Sequence, residues 1–245
     1  MESLKPVHTG STWKHYSVKD MAVPKDLDSL PYPAWDLFLM NNYWESNVRI
    51  GGGDVVKERY AVMMATRGCH HSCSFCYSSL MSGYKGFRYR SNESIINEIK
   101  WLIDKYDVEE ILFVDDNFFV GKKRVKSLLK LFIKEFPKIC FQAVGGTEVK
   151  CLDKEMIDLM ADANFHKVLL SIEAADEDIQ KFSIDKNVPI SKVTEYVDYF
   201  KSKKVEIRAL FMMGFPGETR QQIEKTVRMA RELNVDDFYL SIVTS

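Results

Sequence analysis

Three of the five cysteines lie close together and could bind a metal. Cys69, Cys73 and Cys76 are separated by three and then by two residues. An odd number of cysteines with three of them clustered is not typical of a disulfide framework, whereas closely spaced thiolates are typical metal ligands. Cys140 and Cys151 stand apart, and we interpret them as ordinary thiols. The spacing therefore predicts a metal centre held by the three clustered cysteines.

Two kinds of metal centre are compatible with these cysteines. Three thiolates can occupy three corners of a 4Fe-4S cluster and leave the fourth iron open to a small molecule. Zinc is the alternative, with His70 or His71 as its fourth ligand, although zinc sites more often combine two well-separated ligand pairs. The spacing favours the cluster, and the histidines are then polar residues of the loop.

The elements that position this loop are repeated strand and helix units. From residue 59 onward, short apolar runs alternate with amphipathic helices, a pattern typical of a parallel sheet, open or closed into a barrel. Helix start signals occur at Ser91, at Asp153 and at Thr219, where Gln222 completes a capping box. Six strands are predicted, at residues 60–66, 110–114, 139–144, 167–172, 205–213 and 238–243.

The chain divides into an arm and a core. Residues 1–58 are interrupted by prolines and end in the three glycines at 51–53, and we interpret them as an extended arm or linker. The aromatic stretch 26–38 within it should pack on the core or on an absent neighbour. Residues 59–245 form the core, which stops after the sixth strand without a covering helix and is therefore compatible with a fragment.

Composition and charge narrow the class of protein. A hydrophobic content of 46% is ordinary for a globular chain. The net charge of −1 gives no electrostatic reason to expect nucleic acid or an anionic membrane as the main partner. No apolar run is long enough to span a bilayer and the N-terminus lacks a secretory segment, so a cytoplasmic protein is expected.

Further polar motifs follow the predicted strands, and together they carry a family resemblance. Asp115-Asp116-Asn117-Phe118 follows strand two, Ser171-Ile172-Glu173 ends strand four, and Gly214-Phe215-Pro216-Gly217-Glu218-Thr219 follows strand five. With the cysteine loop after strand one, these motifs stand in the order found in the radical S-adenosylmethionine (radical SAM) superfamily, which residues 59–245 resemble. The resemblance implies a partial (β/α)6 TIM-like barrel with an N-terminal extended arm.

The resemblance also implies the chemistry of the site. Cys69, Cys73 and Cys76 would bind a 4Fe-4S cluster, whose open iron chelates S-adenosylmethionine. Reductive cleavage of that molecule gives methionine and a 5'-deoxyadenosyl radical, which abstracts hydrogen from a small-molecule substrate. Asp115 or Asp116 would accept a hydrogen bond from the methionine ammonium group; helix capping or loop solvation is the alternative for this pair.

Other residues would hold the nucleoside. By resemblance, Glu173 binds the ribose hydroxyls, although Ser171 and Ala174 depart from the commoner Gly-x-Glu-Ser pattern and a salt bridge is the alternative. Phe75 and the backbone from Gly214 to Gly217 would line the adenine pocket. Arg208 would point toward a carboxylate of cofactor or substrate, or else form an ion pair at the barrel rim.

The arm suggests a branch of the superfamily. Residues 28–36 resemble the linker that joins a cobalamin-binding domain to the radical domain in cobalamin-dependent members, which implies methyl transfer to carbon or phosphorus, or a related radical reaction. The chain has no Asp-x-His-x-x-Gly cobalamin signature, so either the cobalamin-binding domain is truncated or on another polypeptide, or the protein works without cobalamin. An electron donor such as flavodoxin or ferredoxin is the other expected partner. The alternatives are a methylthiotransferase, a non-catalytic zinc-binding or cluster-binding module, and a truncated remnant.

Overall fold

A parallel sheet of six strands forms the centre of the molecule. The computed structural model describes residues 7–9, 12–14, 24–46, 54–78 and 86–244. The strands are β1 (Tyr60–Met63), β2 (Glu110–Phe113), β3 (Cys140–Thr147), β4 (Phe165–Glu173), β5 (Glu206–Met213) and β6 (Asp237–Ile242). They lie side by side in sequence order, and every neighbouring pair is parallel. The predicted α/β fold, a partial (β/α)6 barrel, is confirmed.

Helices connect the strands, as parallel pairing requires. They are α1 (Asn92–Tyr106), α2 (Lys122–Glu135), α3 (Lys154–Asp162), α4 (Ile190–Ser202) and α5 (Arg220–Glu232). The predicted N-caps are confirmed. The side chains of Ser91 and Asp153 accept hydrogen bonds from backbone N–H groups in the first turns of α1 and α3, and Thr219 with Gln222 forms a reciprocal capping box at α5. Local sequence therefore determines where these helices begin.

A stack of phenylalanine rings joins the middle strands to α2. Phe132 of α2 stacks on Phe113 of β2 and on Phe141 of β3, with ring centroids 5.9 and 4.4 Å apart and nearly parallel planes. Phe165 of β4 stacks on Phe141 at 5.7 Å. All four rings are fully buried, and each contributes roughly 2–3 kcal/mol by leaving water. Since Phe141 and Phe165 lie near the amino ends of their strands, this core joins α2 to that side of β3 and β4 and to β2.

The N-terminal arm packs on the core domain. Leu27 and Trp35 are buried, and the ring of Tyr32 lies 5.6 Å from that of Trp101 on α1. Farther along, the indole N–H of Trp44 donates a 2.9 Å hydrogen bond to the carbonyl oxygen of Tyr60 in edge strand β1. The aromatic stretch of the arm therefore covers α1 and β1 of its own chain.

The arm is less extended than predicted. It contains a 3-10 turn at Trp35–Leu37 and a short helix at Met40–Glu45. The backbone also forms a small antiparallel pair between Val7–Thr9 and Thr12–Lys14. The glycine turn predicted at residues 51–53 lies outside the described residues. No helix in the described ranges is long and apolar enough to cross a membrane.

Strand β3 runs three residues farther than predicted. It passes through Gly145 and Gly146, where the backbone approaches its neighbours so closely that a side chain does not fit. A Cβ atom on Gly145 would lie 2.2 Å from the carbonyl oxygen of Asp115, and one on Gly146 would lie 1.9 Å from the hydroxyl of Ser171. Glycine at both positions therefore brings the ends of β2, β3 and β4 together.

Candidate active site

The cysteine loop starts directly after β1 and is tied to the segment that follows β4. The hydroxyl of Ser72 donates to the carboxylate of Asp185 at 2.9 Å, and the N–H of Ser74 donates to the carbonyl oxygen of Ile184 at 3.2 Å. The hydroxyl of Ser74 also donates to the carbonyl oxygen of Ser183. Residues 79–85 of this loop lie outside the described residues. The part that carries the cysteines is held against the carboxyl end of the sheet.

The three cysteines of the loop are reduced thiols. Burial raises the pKa of Cys73 to about 11, opposed by the nearby ammonium of Lys186 and reinforced by Cys76 and Cys69. Burial likewise raises the pKa of Cys69, against hydrogen bonds from the N–H of His71 and the amide of Asn117. The charge of Cys76 raises the pKa of both thiols, and that of Cys69 raises the pKa of Cys73, so the three thiols of the loop lie near one another.

The two aspartates after β2 have different environments. The carboxylate of Asp115 is buried and accepts hydrogen bonds from the N–H of Ala65 at 3.1 Å and from the hydroxyl of Thr66 at 2.5 Å. It therefore ties the end of β2 to the segment after β1. The Asp116 side chain is exposed and accepts a 2.7 Å hydrogen bond from Ser78, close enough to the cysteines to affect the pKa of Cys69. Of the pair, Asp116 is the carboxylate open to a ligand.

The buried carboxyl group of Asp115 should make the stability of the fold depend on pH. Burial raises its pKa from 3.8 to about 6, despite the hydrogen bonds from Thr66 and Ala65. A raised folded-state pKa stabilises the fold at low pH, and this stabilisation is lost as the pH rises through about 6. The isosteric variant Asp115→Asn lacks the titration. We expect the stability of the wild type relative to Asp115→Asn to fall by about 1–1.5 kcal/mol between about pH 5 and pH 7.5.

Thermal unfolding of both proteins across this pH range measures the effect. The difference in Tm should change by roughly 3–5 °C, the size expected for a chain of this length. Titrations elsewhere in the protein are common to both chains and cancel in the difference. A difference that stays flat with pH would show that the Asp115 carboxylate is ionised at all these pH values in the fold.

Glu173 forms a buried ion pair at the end of β4. Its backbone adopts a left-handed conformation with φ of 66°, which turns the chain sharply out of the strand. The ammonium of Lys186 donates to the Glu173 carboxylate at 2.7 Å and to the carbonyl oxygen of Ser171 at 3.2 Å. Both side chains are more than 90% buried. This charged pair lies beside Cys73, whose pKa responds to both groups.

A cleft of mixed polarity lies next to the cysteine loop. The ring of Phe75 packs edge-on against Phe215 with centroids 5.9 Å apart, and both rings line a cavity of about 610 Å³ together with Met212, Pro216 and the hydroxyl-bearing Ser74 and Ser183. A planar aromatic ligand fits such a lining, since aromatic rings favour offset and edge-to-face contacts. The cleft therefore brings Phe75 together with the turn that follows β5.

The turn after β5 is closed by a carboxylate. Gly214 and Gly217 have φ values of 86° and 81°, a region that other residues rarely adopt. The carboxylate of Glu218 accepts hydrogen bonds from the N–H groups of Gly214 at 2.6 Å and Phe215 at 3.1 Å. Both interpretations of this motif, a tight turn before a helix and a wall of the cleft, are compatible with the geometry.

Arg208 lies away from these residues. It is the third residue of β5, in the amino-terminal half of the strand, whereas the cysteine loop follows a carboxyl-terminal end. Its guanidinium contacts the carboxylates of Asp54 and Asp237, and its charged carbon lies 4.7 Å from the ring centre of Tyr239. The geometry supports the ion-pair interpretation of Arg208 over the cofactor-binding one.

Sequence reasoning missed two residues of the site. The amide of Asn117 is buried and lies 3.9 Å from the sulfur of Cys69, while its own carbonyl oxygen has no partner among the described residues. Lys186 was also missed. Its neighbours in sequence are the polar Asp185 and Asn187, so nothing in the local sequence distinguishes it from an exposed lysine.

The arrangement combines soft and charged donors at one edge of the sheet. Three thiols can hold iron or zinc, and two carboxylates and an ammonium group can orient a charged ligand. The cleft lined by Phe75 and Phe215 adds a place for a flat ring. This edge is where ligands bind in parallel α/β proteins, because the loops there vary without disturbing the core.

A protein-family model and several known proteins match the part of the chain that carries this arrangement. The model of the Radical SAM superfamily matches residues 63–230, which include the cysteine loop and the strand ends described above. An uncharacterized methyltransferase of Pyrococcus horikoshii is 31% identical over 220 residues, which cover 90% of this chain and 45% of that protein. The cytidylyl-2-hydroxyethylphosphonate methyltransferase of Streptomyces wedmorensis is 26% identical and is matched over 86% of this chain and 40% of its own length.

A solved structure shares the fold. The radical S-adenosylmethionine methyltransferase TsrM from Kitasatospora setae, solved with cobalamin and a [4Fe-4S] cluster bound, superposes with a TM-score of 0.67 at 16% identity. The match covers 75% of this chain and 36% of TsrM. The chain thus spans less than half the length of each of these three relatives.

Proposed function

Because this chain belongs to the radical SAM superfamily, whose members bind a 4Fe-4S cluster and S-adenosylmethionine, we propose that it is the radical domain of an S-adenosylmethionine-cleaving enzyme. In this proposal Cys69, Cys73 and Cys76 bind the cluster. The observation that carries it is the convergence of three reduced thiols with Asp116 and the Glu173–Lys186 pair at one edge of the sheet.

The donors in the structure fit an iron–sulfur cluster. All three are sulfur, the ligand type that iron–sulfur clusters use, and their number leaves one iron without a protein ligand. Cys73 and Cys69 have raised pKa values because they are buried, and iron would displace their protons and compensate the buried negative charge. A reduced cluster held by these cysteines would supply the electron for the cleavage of S-adenosylmethionine into methionine and a 5'-deoxyadenosyl radical.

The charged residues orient the amino acid and ribose parts of S-adenosylmethionine. Asp116, exposed and beside the cysteines, accepts a hydrogen bond from the ammonium group, while Asp115 holds β2 against the segment after β1. Glu173 accepts hydrogen bonds from the ribose hydroxyls, and Lys186 fixes the direction of its carboxylate. Each contact is charge-assisted and therefore stronger than a neutral hydrogen bond.

The cleft beside Phe75 holds the adenine ring. Phe75 and Phe215 form two of its walls, and Gly214 and Gly217 supply the left-handed backbone of the turn that carries Phe215 and Pro216. The cleft keeps water from one face of the ligand. Because Phe75 immediately precedes Cys76, the adenine is held next to the cluster loop.

We infer that Asn117 adjusts the reduction potential of the cluster. Its amide N–H donates toward the sulfur of Cys69. Hydrogen bonds to the sulfurs of a cluster stabilise its reduced state, which carries more negative charge, and therefore raise the reduction potential. We expect Asn117→Leu to shift the midpoint potential to a more negative value, measured by redox titration with electron paramagnetic resonance. Asn92→Ala is the control, since the amide of Asn92, the first residue of α1, donates a hydrogen bond to the hydroxyl of Ser127 in α2. An unchanged or more positive potential in Asn117→Leu would contradict this role.

The reaction proposed is a methyl transfer to a small-molecule substrate. Two relatives matched over most of this chain are named methyltransferases. The transfer is proposed to be linked to cobalamin supplied by a separate domain or subunit, as supported by the resemblance of the arm to a linker and by the fold shared with the cobalamin-bound TsrM. We propose residues 1–58 as the linker and 59–245 as the radical core, with flavodoxin or ferredoxin as the electron donor.

Anaerobic reconstitution tests the proposed function. The full chain is incubated with iron and sulfide, reduced, and supplied with S-adenosylmethionine. About four irons and four sulfides per chain, a brown colour and formation of 5'-deoxyadenosine are expected. One zinc per chain with no colour and no 5'-deoxyadenosine would instead identify a zinc-binding module.

A further inference from the structure

A second group of metal-binding side chains lies beside the cysteine loop. His70 and His71, between Cys69 and Cys73 in sequence, reach Glu148, the first residue after β3. The Nε2 atom of His71 lies 2.7 Å from Oε2 of Glu148, and that of His70 lies 3.9 Å from the same oxygen. One donor atom from each of the three residues lies within 4.8 Å of the other two.

The carboxylate of Glu148 has unused binding capacity. Its side chain is only 3% exposed, and its Oε1 atom has no hydrogen-bond partner among the described residues. The other oxygen, Oε2, also accepts a hydrogen bond from the thiol of Cys151 at 3.4 Å. An ionised carboxylate oxygen without a partner is costly in the interior, and a cation removes that cost.

A second histidine–glutamate pair in the same protein shows what a purely structural contact looks like. His166 lies 2.7 Å from Oε1 of the buried Glu110, the same distance as in the His71–Glu148 pair. The other oxygen of Glu110 accepts hydrogen bonds from the N–H groups of Val56 at 2.8 Å and Lys57 at 3.0 Å. Glu110 is therefore fully satisfied, whereas Glu148 has an unpaired oxygen and a second histidine within reach.

We propose that His70, His71 and Glu148 bind one zinc ion at a site separate from the three cysteines. Two imidazoles and one carboxylate are a known zinc ligand set that leaves a fourth position for water. Tetrahedral zinc needs donor atoms roughly 3.4 Å apart, so the His71–Glu148 contact opens by about 0.7 Å when the ion enters. Cys151 supports the site by orienting the Glu148 carboxylate, as outer hydrogen bonds do around many metals.

The zinc ion connects the cysteine loop to the sheet. His70 and His71 belong to the loop, and Glu148 follows directly on β3, whose end is fixed by the close packing at Gly145 and Gly146. On the other side, Ser72 and Ser74 attach the loop to the segment after β4. The ion therefore adds a connection between the loop and the end of β3 to the connections that these serines make with the segment after β4.

Metal analysis of the cluster-loaded full chain tests the site. The reconstituted protein is incubated with zinc sulfate, dialysed against a weak chelator, and assayed for zinc, iron and sulfide. We expect about one zinc per chain in addition to the iron of the cluster. Glu148→Gln and His70→Ala should bind zinc at least about a hundredfold more weakly, because loss of a mere supporting contact already costs 10–100-fold, and both should keep their iron.

Two control variants distinguish this zinc site from zinc bound elsewhere on the protein. Glu110→Gln changes the matched histidine–glutamate pair and should keep its zinc. Replacement of all three cysteines by alanine should remove iron and keep zinc, which distinguishes this site from zinc held by the thiols. The side chain of His70 is 45% exposed, so its replacement by alanine should leave the fold intact.

Two outcomes would overturn the zinc site, and neither depends on the proposed function. The first is a wild-type protein with no more zinc than Glu148→Gln. The second is loss of zinc in the triple cysteine variant. Iron and 5'-deoxyadenosine report separately on the cluster, so the failure of one proposal leaves the other standing.

Discussion

Replacement of Cys69, Cys73 and Cys76 by alanine is expected to abolish both cluster binding and the cleavage of S-adenosylmethionine. The three thiols belong to one loop, and the charge of Cys76 affects the pKa of both Cys69 and Cys73. A cluster held by three protein ligands loses a large part of its binding free energy with each one. We expect iron to fall to background and 5'-deoxyadenosine to become undetectable after anaerobic reconstitution.

The single variant Cys73→Ala should have nearly the same effect. Cys73 is the most buried of the three. Alanine keeps its Cβ atom and removes only the sulfur, so the metal ligand is lost with little change in packing. Loss of function without loss of fold is therefore expected. Circular dichroism and thermal unfolding of the variant check that the sheet is intact.

Cys140→Ala provides the matched control. Cys140 is the first residue of β3, at the end of the sheet opposite the cysteine loop, and it is also a reduced thiol. Burial raises its pKa too, so it shares the chemistry of the clustered cysteines without their neighbours. Iron content should be unchanged. Retained 5'-deoxyadenosine formation in the triple variant, or a large loss of iron in Cys140→Ala, would show that the ligands are assigned wrongly.

The fold was predictable because its signals are local. Apolar runs, helix periodicity and capping residues such as Ser91, Asp153 and Thr219 act over three or four positions, and the structure confirms them. The order of the strands follows from the alternation of strands and helices, since parallel neighbours require crossover helices. The added length of β3 was missed because a Gly-Gly pair usually indicates a turn rather than a close approach of strands.

The contacts within the candidate site were less predictable. Which aspartate is open to a ligand depends on Thr66 and Ser78, residues 49 and 38 positions away in the chain. Arg208 meets Asp54 across 154 positions. Periodicity carries no information about such pairs. Sequence therefore indicated which residue types gather at the edge of the sheet, and the fold decides which of them are already engaged with each other.

The second large effect is expected at the Glu173–Lys186 pair. Glu173→Gln keeps the shape of the side chain but removes its charge, and with it the charge-assisted hydrogen bonds proposed for the ribose. Such bonds contribute roughly 1.5–3 kcal/mol, so S-adenosylmethionine should bind about 10–100-fold more weakly. Isothermal titration calorimetry on the cluster-loaded protein measures this, and iron content should be unchanged.

A double variant separates binding from stability. Glu173→Gln alone leaves the ammonium of Lys186 buried without its counter-charge, which is strongly destabilising. Glu173→Gln combined with Lys186→Met removes both charges and should recover most of the lost Tm, because a buried ion pair is often replaceable by apolar groups of similar size. If Glu173 contacts the ligand, the double variant regains stability while its affinity for S-adenosylmethionine stays low.

The opposite result would assign the pair a structural role. Affinity that recovers together with Tm in the double variant would mean that Glu173 acts only through the fold. The left-handed backbone of Glu173 favours direct contact between its side chain and the ligand, so that the affinity of the double variant stays low. A non-glycine residue in that conformation costs about 1 kcal/mol or more, and such strain is typically retained where a side chain must be held in a particular direction for function.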